Sequence, residues 1–152
     1  MNTLAVQTAT ELPLEIKTYD IDVAGHVNNI VYVQWLEDLR TALFEKYFHL
    51  QELLAHHLYP IVLSTEISYR RYLKLFDKPV GTMCVECSHH GILTLKAEVK
   101  LNGKIAVSGI QKCALFDLCK LEIIKGQQLQ EILLQNCGMS LSAHQDSRHD
   151  NV

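Results

Sequence analysis

No stretch of the sequence approaches the roughly 20 consecutive apolar residues that a membrane-spanning helix needs, so no transmembrane segment is expected. Met1 to Glu11 carries neither a basic start nor a long apolar run, which argues against a secretory signal. Proline and glycine are scarce, three and seven among 152 residues, and that scarcity excludes a fibrous or disordered body. Blocks of like charge are missing as well. Fourteen basic residues stand against 17 acidic ones for a net charge of −3, so a nucleic-acid-binding surface is not expected. Neither a linker rich in Pro, Gly or Ser nor an internal repeat divides the chain. Cysteines number five, an odd count, and a cytoplasmic chain with reduced thiols is the default expectation.

What is present suits one packed domain over residues 1–152, with a core spanning about 12–135. The chain is 48% hydrophobic, and a chain of this length buries about 68–70% of its unfolded surface. From Ser140 to Val152 the sequence turns polar and His-rich, and a mobile tail is expected there.

Alternation over Leu12 to Thr18 predicts a short strand. A compact segment rich in turn formers follows, Tyr19 to Asn29, ending in an Asn-Asn pair suited to a helix N-cap. Ile30 to Phe48 lacks Pro and Gly, and Tyr32, Leu36, Leu39, Leu43 and Tyr47 recur at helical spacing; about five turns of helix are predicted. Leu50 to Leu58 reads as a second, shorter helix that Pro60 ends. Strands are predicted over Ile61–Leu75, Val80–His89, Ile92–Leu101 and Lys104–Phe116, with Gly91 marking a turn and Asn102-Gly103 a tight hairpin. Helices and strands do not alternate, which disfavours a doubly wound parallel sheet. The expected class is α+β, an antiparallel sheet packed on one long helix.

Three clusters could carry chemistry. Asp20, Asp22, His26, Asn28 and Asn29 fall within ten residues just before a helix start. Unpaired N–H groups there could polarise a carbonyl or hold an oxyanion, and a nearby carboxylate could activate water or attack directly. The same residue types also cap turns, and the pattern by itself serves either role. Cys84 and Cys87, with His89 and His90 behind them, have the look of a metal or redox motif. On a regular strand residues three apart face opposite ways, and Cys113 and Cys119 have the wrong spacing for a second zinc knuckle, so no metal site is expected. Arg70, Arg71 and Lys74 interleave with Tyr69 and Tyr72. They suit either the phosphates of a small ligand or a solvated strand edge.

Tyr19-Asp20-Ile21-Asp22-Val23-Ala24-Gly25-His26-Val27-Asn28-Asn29, followed by Tyr32, Trp35, Glu37 and Arg40, resembles the hotdog-fold thioesterases. In particular it is similar to the 4-hydroxybenzoyl-CoA thioesterase group. The His26-Val27-Asn28-Asn29 run is also similar to the acyl-carrier-protein thioesterases, which share the fold. The resemblance implies a hotdog fold, an antiparallel sheet wrapped around one long central helix. It places the catalytic carboxylate on Asp22 and the carbonyl-polarising backbone N–H on Asn29. His26 matches the histidine of the carrier-protein enzymes, while the asparagine they carry two residues earlier is Ala24 here, which favours the simpler Asp-based mechanism. Val27 and Asn28 would form the approach to the helix, with Tyr32 on the floor of an acyl tunnel. Arg70, Arg71 and Lys74 would meet the phosphates of coenzyme A.

The implied activity is hydrolysis of an acyl-CoA or acyl-carrier-protein thioester, with Asp22 as general base or nucleophile and no cofactor. The tunnel of that family forms between subunits, which implies a homodimer or homotetramer. A non-catalytic acyl-CoA-binding protein and a hotdog hydratase or dehydratase are the other classes this plan could serve.

Overall fold

The structure, a computed structural model, describes residues 8–137. The polar stretch 140–152 lies outside the described residues. Strand β1 is Ala9–Pro13, and a single 3₁₀ turn spans Thr18–Asp20. Helix α1 runs Asn29–Phe48, and the short helix α2 runs Leu50–Ala55 after His49, which adopts a left-handed conformation. Then come β2 (Leu58–Tyr69), β3 (Val80–His89), β4 (Ile92–Leu101), β5 (Lys104–Asp117), β6 (Glu122–Ile123) and helix α3 (Gly126–Cys137).

Every strand pair is antiparallel, in the order β1-β3-β4-β5-β2, with β6 added to β5. The sheet curls around α1, and this is the hotdog fold. Residues of α1 that repeat every three or four positions, among them Leu36, Leu39, Leu43, Phe44 and Phe48, are buried against Met83, Val85, Leu93, Leu95 and Leu115 of the sheet. Burying each such side chain contributes about 1.5–3 kcal/mol, which is what fixes the helix to the sheet. The approach is close at Gly81 of β3, where a Cβ would lie 2.9 Å from Leu14 Cδ1 and 3.0 Å from Leu39 Cδ1. No helix among the described residues is long and apolar enough to cross a membrane.

The β3–β4 and β4–β5 hairpins follow the expected limits closely. Asn102 and Gly103 both take positive φ, 51° and 76°, the pair that a tight turn matched to strand twist requires. Other boundaries move, each for a reason of pairing. Strand β1 ends at Pro13 rather than Thr18 because its partner gives out: Pro13 pairs Val80, and Leu14 N–H then donates to the Pro79 carbonyl at 2.9 Å. Pro60 does not end a helix. It lies inside β2, opposite Leu115, on an edge strand where a missing N–H costs no ladder bond. A register shift between Val62 and Ser64 makes Leu63 the extra residue of a bulge and breaks the alternation read over Ile61–Leu75. Strand β2 then stops at Tyr69, and Arg70 and Arg71 N–H both donate to the Ala106 carbonyl, at 2.8 and 3.0 Å. The basic cluster thus sits on a loop and not on a strand face. No element is predicted over β6 or α3, although Leu129, Ile132 and Leu133 recur at helical spacing in α3.

The cysteine pair is also placed differently. A second register shift, between Val85 and Cys87, leaves Cys84 opposite Lys96 and Cys87 opposite Thr94. The bulge thereby returns both cysteines to the outer face of the sheet, where regular alternation would have split them. Among the described residues no group of three or more His, Cys, Asp or Glu is arranged to hold a metal. Cys113 is fully buried, and burial pushes its thiol up to about 11, so it packs as a neutral side chain.

A polar chain crosses the core boundary beside α1. The nearly buried Arg40 guanidinium pairs with Glu37 and donates to Gln111 Oε1 at 2.9 Å, and Gln111 Nε2 donates to Thr65 Oγ1 at 3.1 Å. Each buried member is thereby satisfied, as a charge in this position must be.

Candidate active site

The two carboxylates before α1 have separate surroundings. Asp20 is buried; its Oδ2 accepts from Lys17 N–H at 2.8 Å, and its carbonyl accepts from Asn28 N–H at 2.8 Å. It holds the 3₁₀ turn against the start of the helix. Asp22 instead sits on a tight loop closed by Asp22 N–H to the His26 carbonyl at 2.8 Å and Gly25 N–H to the Asp22 carbonyl at 3.0 Å. Gly25 has φ of +77°, a conformation that other residues adopt at a cost. Asp22 Oδ1 accepts from Ala24 N–H at 2.8 Å and His26 N–H at 3.3 Å, while Oδ2 has no hydrogen-bond partner among the described residues.

The backbone amides leading into α1 are used one after another until Asn29. Val27 N–H donates to the Leu73 carbonyl at 2.8 Å, and Asn28 N–H to Asp20. Asn28 is the N-cap, and its Oδ1 accepts from Ile30 N–H at 3.1 Å; its carbonyl takes Val31 N–H at 2.9 Å. Between these, the N–H of Asn29 has no hydrogen-bond partner among the described residues. An N-cap side chain reaches the second or third helical amide and leaves the first unspent, at the end of the helix where partial positive charge collects.

One cavity of about 770 Å³ draws these groups together. Asp22, His26, Val27, Asn29 and Tyr32 line it from the helix side, and Arg70, Arg71, Tyr69 and Tyr72 from the loop after β2. Asn102 and Lys104, from the β4–β5 hairpin, complete the opposite wall. Arg70, Arg71 and Lys104 have no ion-pair partner among the described residues. The Tyr32 ring is buried, edge-on to Trp35 and Tyr69, with centroids 5.2 and 5.4 Å away. Burial raises the Tyr32 hydroxyl above the usual tyrosine range, with the Leu73 backbone opposing, so it stays protonated near neutrality.

Some residues singled out in the sequence play other parts. Asn28 is not on the cavity lining and serves the helix as its cap. Lys74 is not on the lining either; its Nζ lies 5.6 Å from the Tyr72 ring centroid. The His26 imidazole stacks on that same ring at 3.9 Å, so it is the backbone of His26 that holds Asp22. Asn102 and Lys104 had no local signal beyond their hairpin, since only the folded sheet brings that turn to the cavity.

Residues 16–131 match the model of the thioesterase-like superfamily. The chain is 30% identical over 95 residues to the long-chain acyl-CoA thioesterase FadM of Escherichia coli, a match covering 62% of this chain and 61% of that protein. Among solved structures, the probable thioesterase YbaW of Escherichia coli is similar with a TM-score of 0.74 and 25% identity, covering 86% of this chain and 98% of that one. A thioesterase of Thermus thermophilus complexed with coenzyme A and zinc has a TM-score of 0.71 at 20% identity, covering 86% and 96%.

Proposed function

Since the chain belongs to the thioesterase-like superfamily, we propose that it hydrolyses acyl-CoA to the free acid and thiol at the cavity beside the start of α1. The observation that carries this reading is a carboxylate with one unengaged oxygen and an unspent helix-terminal N–H on the lining of the same cavity. Asp22 takes a proton from water, which adds to the thioester carbonyl carbon, or attacks that carbon itself to form a mixed anhydride that water then opens. In either route the carbonyl oxygen gains negative charge opposite Asn29 N–H. Collapse breaks the C–S bond. In the first route the departing thiolate takes up the proton held by Asp22; in the second it leaves as the anhydride forms and is balanced by the proton released when water opens that anhydride. The helix dipole and the N–H are in place before charge develops, which is what makes such donors effective.

Coenzyme A is favoured as the thiol carrier by Arg70, Arg71 and Lys104, three cations on one cavity lining without ion-pair partners among the described residues. Neutralising Arg70 and Arg71 together is expected to raise KM for acyl-CoA and leave kcat nearly unchanged, the pattern of lost uniform binding. The effect should shrink with added salt and be absent for a short thioester without the nucleotide. Equal responses to both substrates would assign the arginines to a solvated loop. Thiol release measured on a panel of acyl-CoAs and acyl-carrier proteins, beside hydration of an enoyl-CoA, tests the reaction itself. Binding without thiol release, or water addition to the enoyl-CoA, would replace hydrolysis as the activity.

The open edge of β2 and exposed Ile30, Val33, Val62 and Leu63 support a dimer or tetramer, in which a second copy covers the unpaired strand. Sedimentation should give a multiple of 17.3 kDa at micromolar concentration; a lone 17.3 kDa species there would refute assembly.

A further inference from the structure

We infer that the two loops at the mouth of the cavity form a docking patch for the surface of an anionic lipid bilayer. Among the described residues the three most exposed large apolar side chains are Val23, which is fully exposed, Phe76 at 87% and Tyr19 at 82%. All three lie on the loops 19–27 and 70–79, and Tyr72, also well exposed, lies between them on the second loop. The loops are locked together by Val27 N–H to the Leu73 carbonyl and by the His26–Tyr72 stack. Each apolar tip is held out by its own closed turn. Val23 stands on the loop that Asp22, Gly25 and His26 close. Phe76 stands between Lys74 and Asp77, which exchange Lys74 N–H to Asp77 Oδ2 at 2.8 Å and Asp77 N–H to the Lys74 carbonyl at 3.1 Å.

Phe76 has φ of 76°, a conformation that a bulky residue adopts at a steric cost, and most of its ring lies in solvent. Packing gives no reason for phenylalanine at that turn; insertion into an apolar phase does. Charge points the same way. Between Arg70 and Lys78 stand Arg70, Arg71, Lys74 and Lys78, all exposed, against Asp77 on that loop and the half-buried Asp22 and buried Asp20 on the other, in a chain of net charge −3. Protruding apolar and aromatic tips ringed by cations are the arrangement that binds an anionic interface, with the long cationic side chains reaching headgroups as the tips enter below them. Single knobs raised on separate turns suit a deformable bilayer better than the flat or grooved face of a folded partner. Together with the proposed hydrolysis, this placement sets the cavity mouth where amphiphilic acyl thioesters collect.

The test is co-sedimentation of the full chain with vesicles of phosphatidylglycerol and phosphatidylcholine, beside vesicles of phosphatidylcholine alone. Binding is expected to the anionic vesicles, weakening with salt. The double variant Val23→Ser/Phe76→Ser should weaken it at least about tenfold, within what burying two apolar side chains supplies. Lys78→Ser should weaken it less and only at low salt. Unchanged melting curves and an unchanged sedimentation coefficient accompany the expected result, and hydrolysis of a short, water-soluble acyl-CoA should stay at the wild-type rate in the double variant. Vesicle binding is read without turnover, so it stands or falls apart from the proposed reaction. Failure of the wild-type chain to bind anionic vesicles overturns the proposal, as does equal binding by the double variant. A changed oligomeric state in that variant would make the patch a contact between copies. Binding to an acyl-carrier protein but not to vesicles would make it a protein-docking surface.

Discussion

Asp22→Asn is expected to lower turnover at least about a hundredfold, the scale of removing a general base, while acyl-CoA still binds. The substitution is selective because the two oxygens of Asp22 have separate surroundings. Its Oδ1 accepts from Ala24 and His26 N–H and shapes the loop, a task that an asparagine oxygen performs equally well. Its Oδ2, which no described residue engages, becomes an amide nitrogen that can neither accept a proton from water nor attack a carbonyl. A loss in kcat with binding intact, measured by thiol release and by titration with an unreactive thioether analogue, is the expected signature. Retention of more than about a tenth of the wild-type rate would remove Asp22 from the chemistry.

How much of this could be read in the sequence depends on how local each determinant is. Helix α1 declares itself because its core face repeats within single turns. The Asn102-Gly103 hairpin does so because two adjacent residues must both take positive φ. Strand limits are less legible, since a strand ends where its partner ends: β1 stops at Pro13 because β3 begins at Val80, not because its own alternation fails. Bulges at Leu63 and beside Cys87 shift alternation by one residue, and no local pattern announces them.

The candidate site divides along the same line. Asp22, His26, Val27, Asn29 and Tyr32 are near neighbours in sequence, so a loop motif leading into a helix collects them. The opposite wall is assembled by the sheet. Arg70 and Arg71 reach it because β2 breaks off onto the Ala106 carbonyl, and Lys104 because the β4–β5 hairpin lies across from the helix start. Lys74 belongs to the same basic run, yet it lies over the Tyr72 ring and off the cavity lining. A charge cluster in one dimension therefore identifies a loop and not which of its cations face a ligand.

The sharpest prediction concerns a group that sequence patterns do not display, a backbone N–H. Asn29→Pro should lower kcat about 10²- to 10³-fold, the cost of losing one oxyanion donor, whereas Asn29→Ala should stay within roughly tenfold. Proline suits this place on three grounds. Asn29 is the first helical residue, where proline is well tolerated. The preceding Asn28 already has φ of −63° and ψ of 141°, the extended backbone that a following proline demands. The lost N–H serves no bond among the described residues, so the helix gives up no hydrogen bond to the exchange. Circular dichroism and melting should therefore match the wild type. The pyrrolidine ring also fills space beside the cavity, and binding of an unreactive thioether analogue separates the two effects: crowding weakens that binding, whereas loss of a donor aimed at the transition state does not. If the proline variant folds and binds normally and keeps more than about a tenth of the wild-type rate, another group stabilises the oxyanion. If alanine costs as much as proline, it is the Asn29 side chain, and not its N–H, that the reaction uses.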